Sequence, residues 1–106
     1  MNSTLGDFLD KMGLTEYESK TLTTLFALKE ADSPEVARQA QVPKTRVYDV
    51  LDQLVEKGLA VCVSTRPKKY RALQPSDVFQ KLLGETQSEI EDWQKKVQQI
   101  SKELAT

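Results

Sequence analysis

The residues of this chain that can do chemistry at a distance are basic and clustered. Lys44 to Arg71 holds seven Lys/Arg and three Asp/Glu, a local +4, whereas Met1 to Pro43 has four and seven and Ala72 to Thr106 has four and six. Such side chains donate charge-assisted hydrogen bonds to phosphate; Arg46 adds the paired donors that suit a guanine edge, and Gln53 the donor and acceptor that suit adenine. Local density governs attraction to a polyanion, so the overall charge of -1 does not argue against it. Other chemistries lack their residues. There is no histidine and a single cysteine, Cys62, which removes the common zinc sets and the Ser-His and Cys-His nucleophile pairs. No phosphate loop is present. No catalytic residue, metal ligand or cofactor is therefore expected, and the chain does not read as an enzyme. Cys62 lies between Val61 and Val63 and is expected to be a small buried side chain, with redox sensing as the alternative.

These residues need elements to hold them. At 106 residues, 39% hydrophobic and 29% charged, the chain suits one compact domain with an appended element. No apolar run approaches the ~18 residues of a membrane span, and MNSTLGDFLDKMG lacks the features of a signal peptide, so a cytoplasmic protein with no membrane partner is expected. Leu5, Phe8, Leu9 and Met12 have the spacing of a short amphipathic helix ended by Gly13. Thr15 with Glu18 forms a capping-box pattern opening a helix from Glu16 to Lys29 or Glu30. Ser33 is the predicted N-cap and Pro34 the first residue of a short helix ending near Ala40. After Gln41-Val42-Pro43, the stripe Val47, Val50, Leu51, Leu54 and Val55 predicts a helix over Lys44–Lys57, with Gly58 just past its end. The period then changes. Leu59–Ser64 and Lys69–Leu73, separated by Thr65-Arg66-Pro67-Lys68, predict a two-stranded hairpin with a basic tip.

From Pro75 to Ala105 the composition is helical, and Phe79, Leu83, Thr86, Ile90, Trp93, Val97, Ile100 and Leu104 alternate by four and three residues. That is a coiled-coil seam rather than a globular stripe, with Gly84 as its weak point and a candidate bend. Phe79, Leu83, Ile90, Trp93, Val97, Ile100 and Leu104 are the predicted dimerisation residues, in preference to a ligand box around Trp93. Parallel and antiparallel pairing both fit the heptads, and flanking charges such as Glu89, Lys96 and Glu103 do not choose between them.

Behind the short first segment, three helices and a hairpin follow in the order of a winged helix, whose third helix enters the major groove. The fold class is thus mainly α with a small β-hairpin: a winged helix-turn-helix over 1–74, then a long dimerisation helix over 75–106. Stepping 100° per residue from Val47 turns Thr45, Asp49, Asp52, Gln53 and Glu56 outward, with Arg46 and Tyr48 on the shoulders. The predicted DNA contacts are Lys44, Thr45, Arg46, Tyr48, Asp49 and Gln53 on the helix, and Arg66, Lys68, Lys69 and Arg71 on the wing. Asp49 is placed either to accept from a cytosine amine or to hold Arg46 by an i, i+3 pair. Lys44-Thr45-Arg46 also fits an ordinary polar helix start, and Tyr48 also fits packing against Leu51 or Asp52.

The stretches GLTEYE (Gly13–Glu18), VPKTRVYDVLDQLVEKGL (Val42–Leu59) and RPKKYRA (Arg66–Ala72) resemble the DNA-binding domain of the TrmB family of archaeal transcriptional regulators over about residues 5–80. The resemblance implies a dimeric winged-helix repressor or activator on a pseudo-palindromic operator, with Lys44, Thr45 and Arg46 starting the recognition helix and Arg66, Lys68 and Lys69 in the wing. Larger members continue into a sugar-binding domain. This sequence stops at Thr106, so sugar sensing is not carried over and no effector is named. The partners expected are double-stranded DNA and a second copy of the chain. The alternative is a winged helix that contacts protein within a transcription assembly, for which the acidic Asp49, Asp52 and Glu56 speak.

Overall fold

In the computed structural model, which describes residues 3–106, Thr15 and Glu18 cap each other. The Thr15 hydroxyl accepts from the Glu18 amide at 3.1 Å and the Glu18 carboxylate accepts from the Thr15 amide at 2.8 Å. This satisfies two amides that a helix start otherwise leaves bare, and it opens α2 (Glu16–Leu28) where the sequence predicts it. The preceding α1 (Ser3–Lys11) closes at Gly13, whose φ of +98° allows the amides of Gly13 and Leu14 to turn back to Asp10 and Leu9, each at 3.1 Å. The same turn ends α4 (Lys44–Glu56). There Gly58, at φ +78°, and Leu59 donate to Val55 and Leu54, each at 2.9 Å.

Between them, α3 (Ser33–Ala40) starts one residue earlier than expected. Asp32, not Ser33, is its N-cap, with the carboxylate accepting from the Glu35 amide at 3.0 Å. A carboxylate answers both the bare amides and the positive end of the helix dipole, and Asp32 is already extended at φ -85°, ψ 169°. It is extended because it belongs to a strand absent from the sequence reading. Strand β1 (Glu30–Asp32) pairs antiparallel with β3 (Lys68–Ala72), which in turn pairs with β2 (Ala60–Thr65), in the order β1-β3-β2. The predicted two-stranded hairpin is therefore a three-stranded sheet. Its turn is Arg66-Pro67 alone, joined by a cis peptide, with Thr65 opposite Lys68.

Cys62 is exposed, contrary to expectation. It lies opposite Tyr70 on the edge strand β2, where the register shifts between Cys62 and Ser64. Its thiol donates to the Ser64 carbonyl at 3.2 Å, and Val63 beside it is exposed as well.

The core lies where α1 to α4 meet the sheet. Leu9, Leu22, Leu25, Leu51, Leu54 and Leu59 are fully buried, each worth about 1.5–3 kcal/mol. Polar ties fix the angles between helices. Ser19 donates to Asp10 at 2.7 Å, joining α2 to α1, and the Lys57 ammonium lies 2.9 Å from the buried Glu18 carboxylate, joining the end of α4 to the start of α2. Tyr70, 1% exposed, brings β3 against α4, its hydroxyl 3.5 Å from Asp52. Burial and then the Asp52 charge push its phenol up to about 12.

Helix α5 (Pro75–Ala105) runs through Gly84 without interruption. Its first turns belong to the core: Val78 and Leu82 are buried, and Phe79 packs edge-on against Phe8 and Phe26 with ring centroids 5.6 and 6.4 Å away. Beyond them it leaves the domain, stretching the molecule to 61 × 28 × 27 Å. Among the described residues no helix is long and apolar enough to cross a membrane.

Two outcomes follow from these ties. Lys57→Met leaves the Glu18 carboxylate buried without its cation; because the ammonium is partly exposed, the loss is about 1–2 kcal/mol rather than that of a fully buried pair. A urea denaturation midpoint equal to that of the parent would contradict it. Tyr70 favours its neutral form when folded, so its contribution to stability is intact below the ordinary value of 10.0 and is lost as pH rises toward about 12. Tyrosinate absorbance should show a step near pH 12 that Tyr70→Phe abolishes; an unchanged titration would refute the assignment.

Candidate nucleic-acid interface

The start of α4 differs from the starts of α2 and α3. Those carry a side-chain oxygen over their first amides, whereas α4 follows Pro43 with no side-chain cap. The Arg46 and Val47 amides already turn to the Pro43 carbonyl, at 2.9 and 3.1 Å. The amides of Lys44 and Thr45 are thus left without a side-chain cap, in the positive field of the helix end and next in sequence to a basic side chain. This is an arrangement that suits a phosphate.

Four faces of α4 can be distinguished. Val47, Val50, Leu51 and Leu54 are buried inward. One shoulder leans on α2: the Arg46 guanidinium lies over the Tyr17 ring, 5.6 Å from its centroid, and Arg46, Val50 and Gln53 border a hollow of about 290 Å3 with Thr15, Glu16 and Tyr17. A cation over an aromatic face is both attracted and oriented, so Arg46 is braced from behind by α2. The other shoulder holds Tyr48, half exposed, and Asp52, which reaches Tyr70 of the wing. Between the shoulders stand Thr45, Asp49 and Glu56, all exposed.

Two of the predicted details change. Arg46 and Asp49 form no ion pair; the only two ion pairs among the described residues are Arg38–Glu35 and Lys57–Glu18. Tyr17 wins Arg46 instead, because Arg46 leans toward α2 while Asp49 projects outward. Gln53, predicted to face outward, shares the Arg46 shoulder.

The basic charge is also more localised than the sequence suggests. Lys57 is matched by Glu18. On the sheet, Lys69 lies opposite Asp32 and Arg71 opposite Glu30, so β1 sets an acidic residue across from each. Arg71 sits at the base of the wing, lining a hollow with Lys29, Gln74 and Pro75. Arg66 and Lys68 remain exposed at the tip. Near Lys44, the other cation is Arg38, which is bound to Glu35; hydrogen bonds from Gln39 and Arg38 hold that carboxyl below its usual range. Within Lys44–Arg71, the basic residues with neither an ion-pair partner nor an acidic residue across the sheet are therefore Lys44 and Arg46 at the start of α4, and Arg66 and Lys68 at the wing tip.

Sequence reasoning missed Tyr17 as the platform for Arg46. Tyr17 packs partly against the core as well, and only the packing of α2 on α4 brings its ring under the guanidinium. The acidic partners on β1 were likewise invisible, because a strand of three residues has almost no alternation to read. On α5, Leu83, Ile90, Trp93, Val97, Ile100 and Leu104 are exposed, whereas Phe79 is half buried against Phe8 and Phe26.

Comparison with known proteins places this geometry. Over 96 residues the chain is 35% identical to the HTH-type sugar sensing transcriptional regulator TrmBL1 of Pyrococcus furiosus, which covers 91% of this chain and 28% of that protein. It is 31% identical over 86 residues to the DNA-binding HTH-type transcriptional repressor TrmBL2 of Thermococcus kodakarensis, covering 81% of this chain and 30% of the other. The chain thus spans under a third of the length of these relatives. Among solved structures, that of TrmBL2, described as an archaeal chromatin protein with a novel mode of DNA binding, superposes with a TM-score of 0.87 at 27% identity, covering 98% of this chain and 42% of that one. The family model described as "Sugar-specific transcriptional regulator TrmB" matches residues 9–76. With a winged helix whose third helix and wing are those of the matched region, the chain belongs to the TrmB family of transcriptional regulators.

Proposed function

We propose that this chain is a sequence-specific, homodimeric DNA-binding regulator that lays α4 in the major groove and the wing tip on the phosphate backbone. The observation that carries the reading is the uncapped, basic start of α4, flanked by a wing whose two tip cations have no acidic neighbour across the sheet. Arg46 is held by Tyr17 in a position to offer its fork to a guanine, while Lys44 and the free amides take a phosphate. Thr45, Tyr48 and Gln53 complete the reading surface, with Asp49 accepting from a cytosine amine. Lys69 and Arg71 contribute field rather than contact. The exposed apolar row of α5 pairs two copies, so that two recognition helices address half-sites about one helical turn apart.

A second reading is favoured by one feature. The outermost positions of α4 include Asp49 and Glu56, which repel phosphate, and the solved TrmBL2 is called a chromatin protein. A chain that touches DNA only through the helix start and the wing would coat it with little regard to sequence.

One experiment separates the two. Genomic fragments selected by the purified protein should share a symmetric site. On that site Arg46→Ala should cost about 1–3 kcal/mol and relax base preference, whereas Lys68→Ala should weaken cognate and random duplex alike and reduce the salt slope by about one. Equal losses on both duplexes for both variants would favour the coating role, and binding without any salt dependence would remove DNA from the reading altogether.

A further inference from the structure

The apolar row on α5 has two flanks, and one of them carries opposite charges. In the heptad, Leu83, Ile90, Val97 and Leu104 occupy one seam position and Phe79, Thr86, Trp93 and Ile100 the other. Glu89 and Lys96 each stand one residue before a member of the first set. Both are exposed, and neither belongs to either of the ion pairs formed among the described residues. At the foot of the same row lies an apolar hollow of about 560 Å3 between α1 and α5, lined by Thr4, Leu5, Phe8, Phe79 and Leu83. At the far end, Leu104 is the most exposed of the large apolar side chains, at 82%.

A second copy can be laid on this row in two directions. The heptads alone leave the direction open, but the flanking charges choose once the exposed row and the hollow fix a register. Side by side and parallel, Glu89 comes to the partner's Gln94 and Lys96 to the partner's Ser101, so neither charge finds an opposite. The hollow faces its own copy, and Leu104 meets the partner's Leu104 at the free tip. Head to tail, one register matches the full row: Phe79 with the partner's Leu104, Leu83 with the partner's Ile100, Thr86 with the partner's Val97 and Ile90 with the partner's Trp93. In that register Glu89 faces the partner's Lys96 and, by the twofold axis, Lys96 faces the partner's Glu89. The same register delivers the two apolar side chains at the end of the rod to the apolar hollow at its foot.

We infer that two copies pair antiparallel through α5, with Glu89 against the partner's Lys96 and the partner's Ile100 and Leu104 seated in the hollow between α1 and α5. This rests on the homodimer reading above and adds its direction and register. It separates the two Val78 positions by about 40 Å along the rod, close to the 34–36 Å between successive major grooves. The winged helices then stand at opposite ends of the pair, and α1 serves as part of the dimer interface.

The test uses the full chain in a Cys62→Ser background, which removes the one exposed native thiol. A spin label on Ser101→Cys, a position at the flank of the row, should give a single inter-label distance of about 30 Å by pulsed dipolar spectroscopy. A distance under about 20 Å would leave the homodimer standing and overturn the antiparallel register, whereas a monomer at all concentrations, with no dipolar signal, would overturn the homodimer itself. In parallel, Glu89→Lys and Lys96→Glu should each raise the dimer dissociation constant roughly fivefold at low salt, and the double reversal should restore it. Losses that simply add in the double variant would also overturn the register.

Discussion

A buried carboxylate fixes the working parts of this molecule relative to one another. Glu18 accepts from the Thr15 amide at its own helix start and from the Lys57 ammonium at the far end of α4. A charge that is 2% exposed tolerates little displacement of its partners, because any gap leaves it desolvated and unpaired. The start of α2 and the end of α4 are thereby held together. One residue before Glu18, Tyr17 meets Arg46 near the opposite end of α4. Helix α4 is thus gripped at both ends by one turn of α2, and that grip sets the direction in which its basic start points.

The sheet completes the frame from the other side. Tyr70 fills the space between β3 and α4, and β1 forms the edge opposite β2 while also supplying Asp32 as the cap of α3. A single three-residue strand thus orders the wing, places an acidic residue across from Lys69 and from Arg71, and starts a helix. Between the start of α4 and the end of β3, the positive charge left without an acidic partner is confined to Lys44, Arg46, Arg66 and Lys68, in a protein whose formal charge is -1. Affinity for DNA in such a molecule depends on where few charges stand rather than on how many there are.

What could be read from the sequence was local and periodic. The capping box at Thr15 and Glu18, the glycine after α4, the stripe of α4 and the long row of α5 are each written within a few residues of where they act. What could not be read required a neighbour distant in the chain. Glu30–Asp32 is a strand only because β3 lies beside it, and Cys62 is exposed only because β2 is an edge that shifts register there. An Arg46–Asp49 pair was one of the two roles open to Asp49, three residues away on the same helix, but the face of Tyr17 is nearer the path the Arg46 side chain takes. The basic residues were legible by type; which of them had acidic neighbours was not, since Glu30, Asp32 and Glu18 lie from 37 to 41 positions away from Arg71, Lys69 and Lys57 in sequence and are adjacent in space.

Amide chemical shifts of the protein titrated with a short duplex carrying a selected site test the central claim most directly. The account predicts that the largest changes fall on Lys44 to Tyr48 and on Thr65 to Lys68, with α5 little affected. Changes concentrated on α1, on the outer part of α5 or on β1, with the start of α4 unmoved, would contradict it.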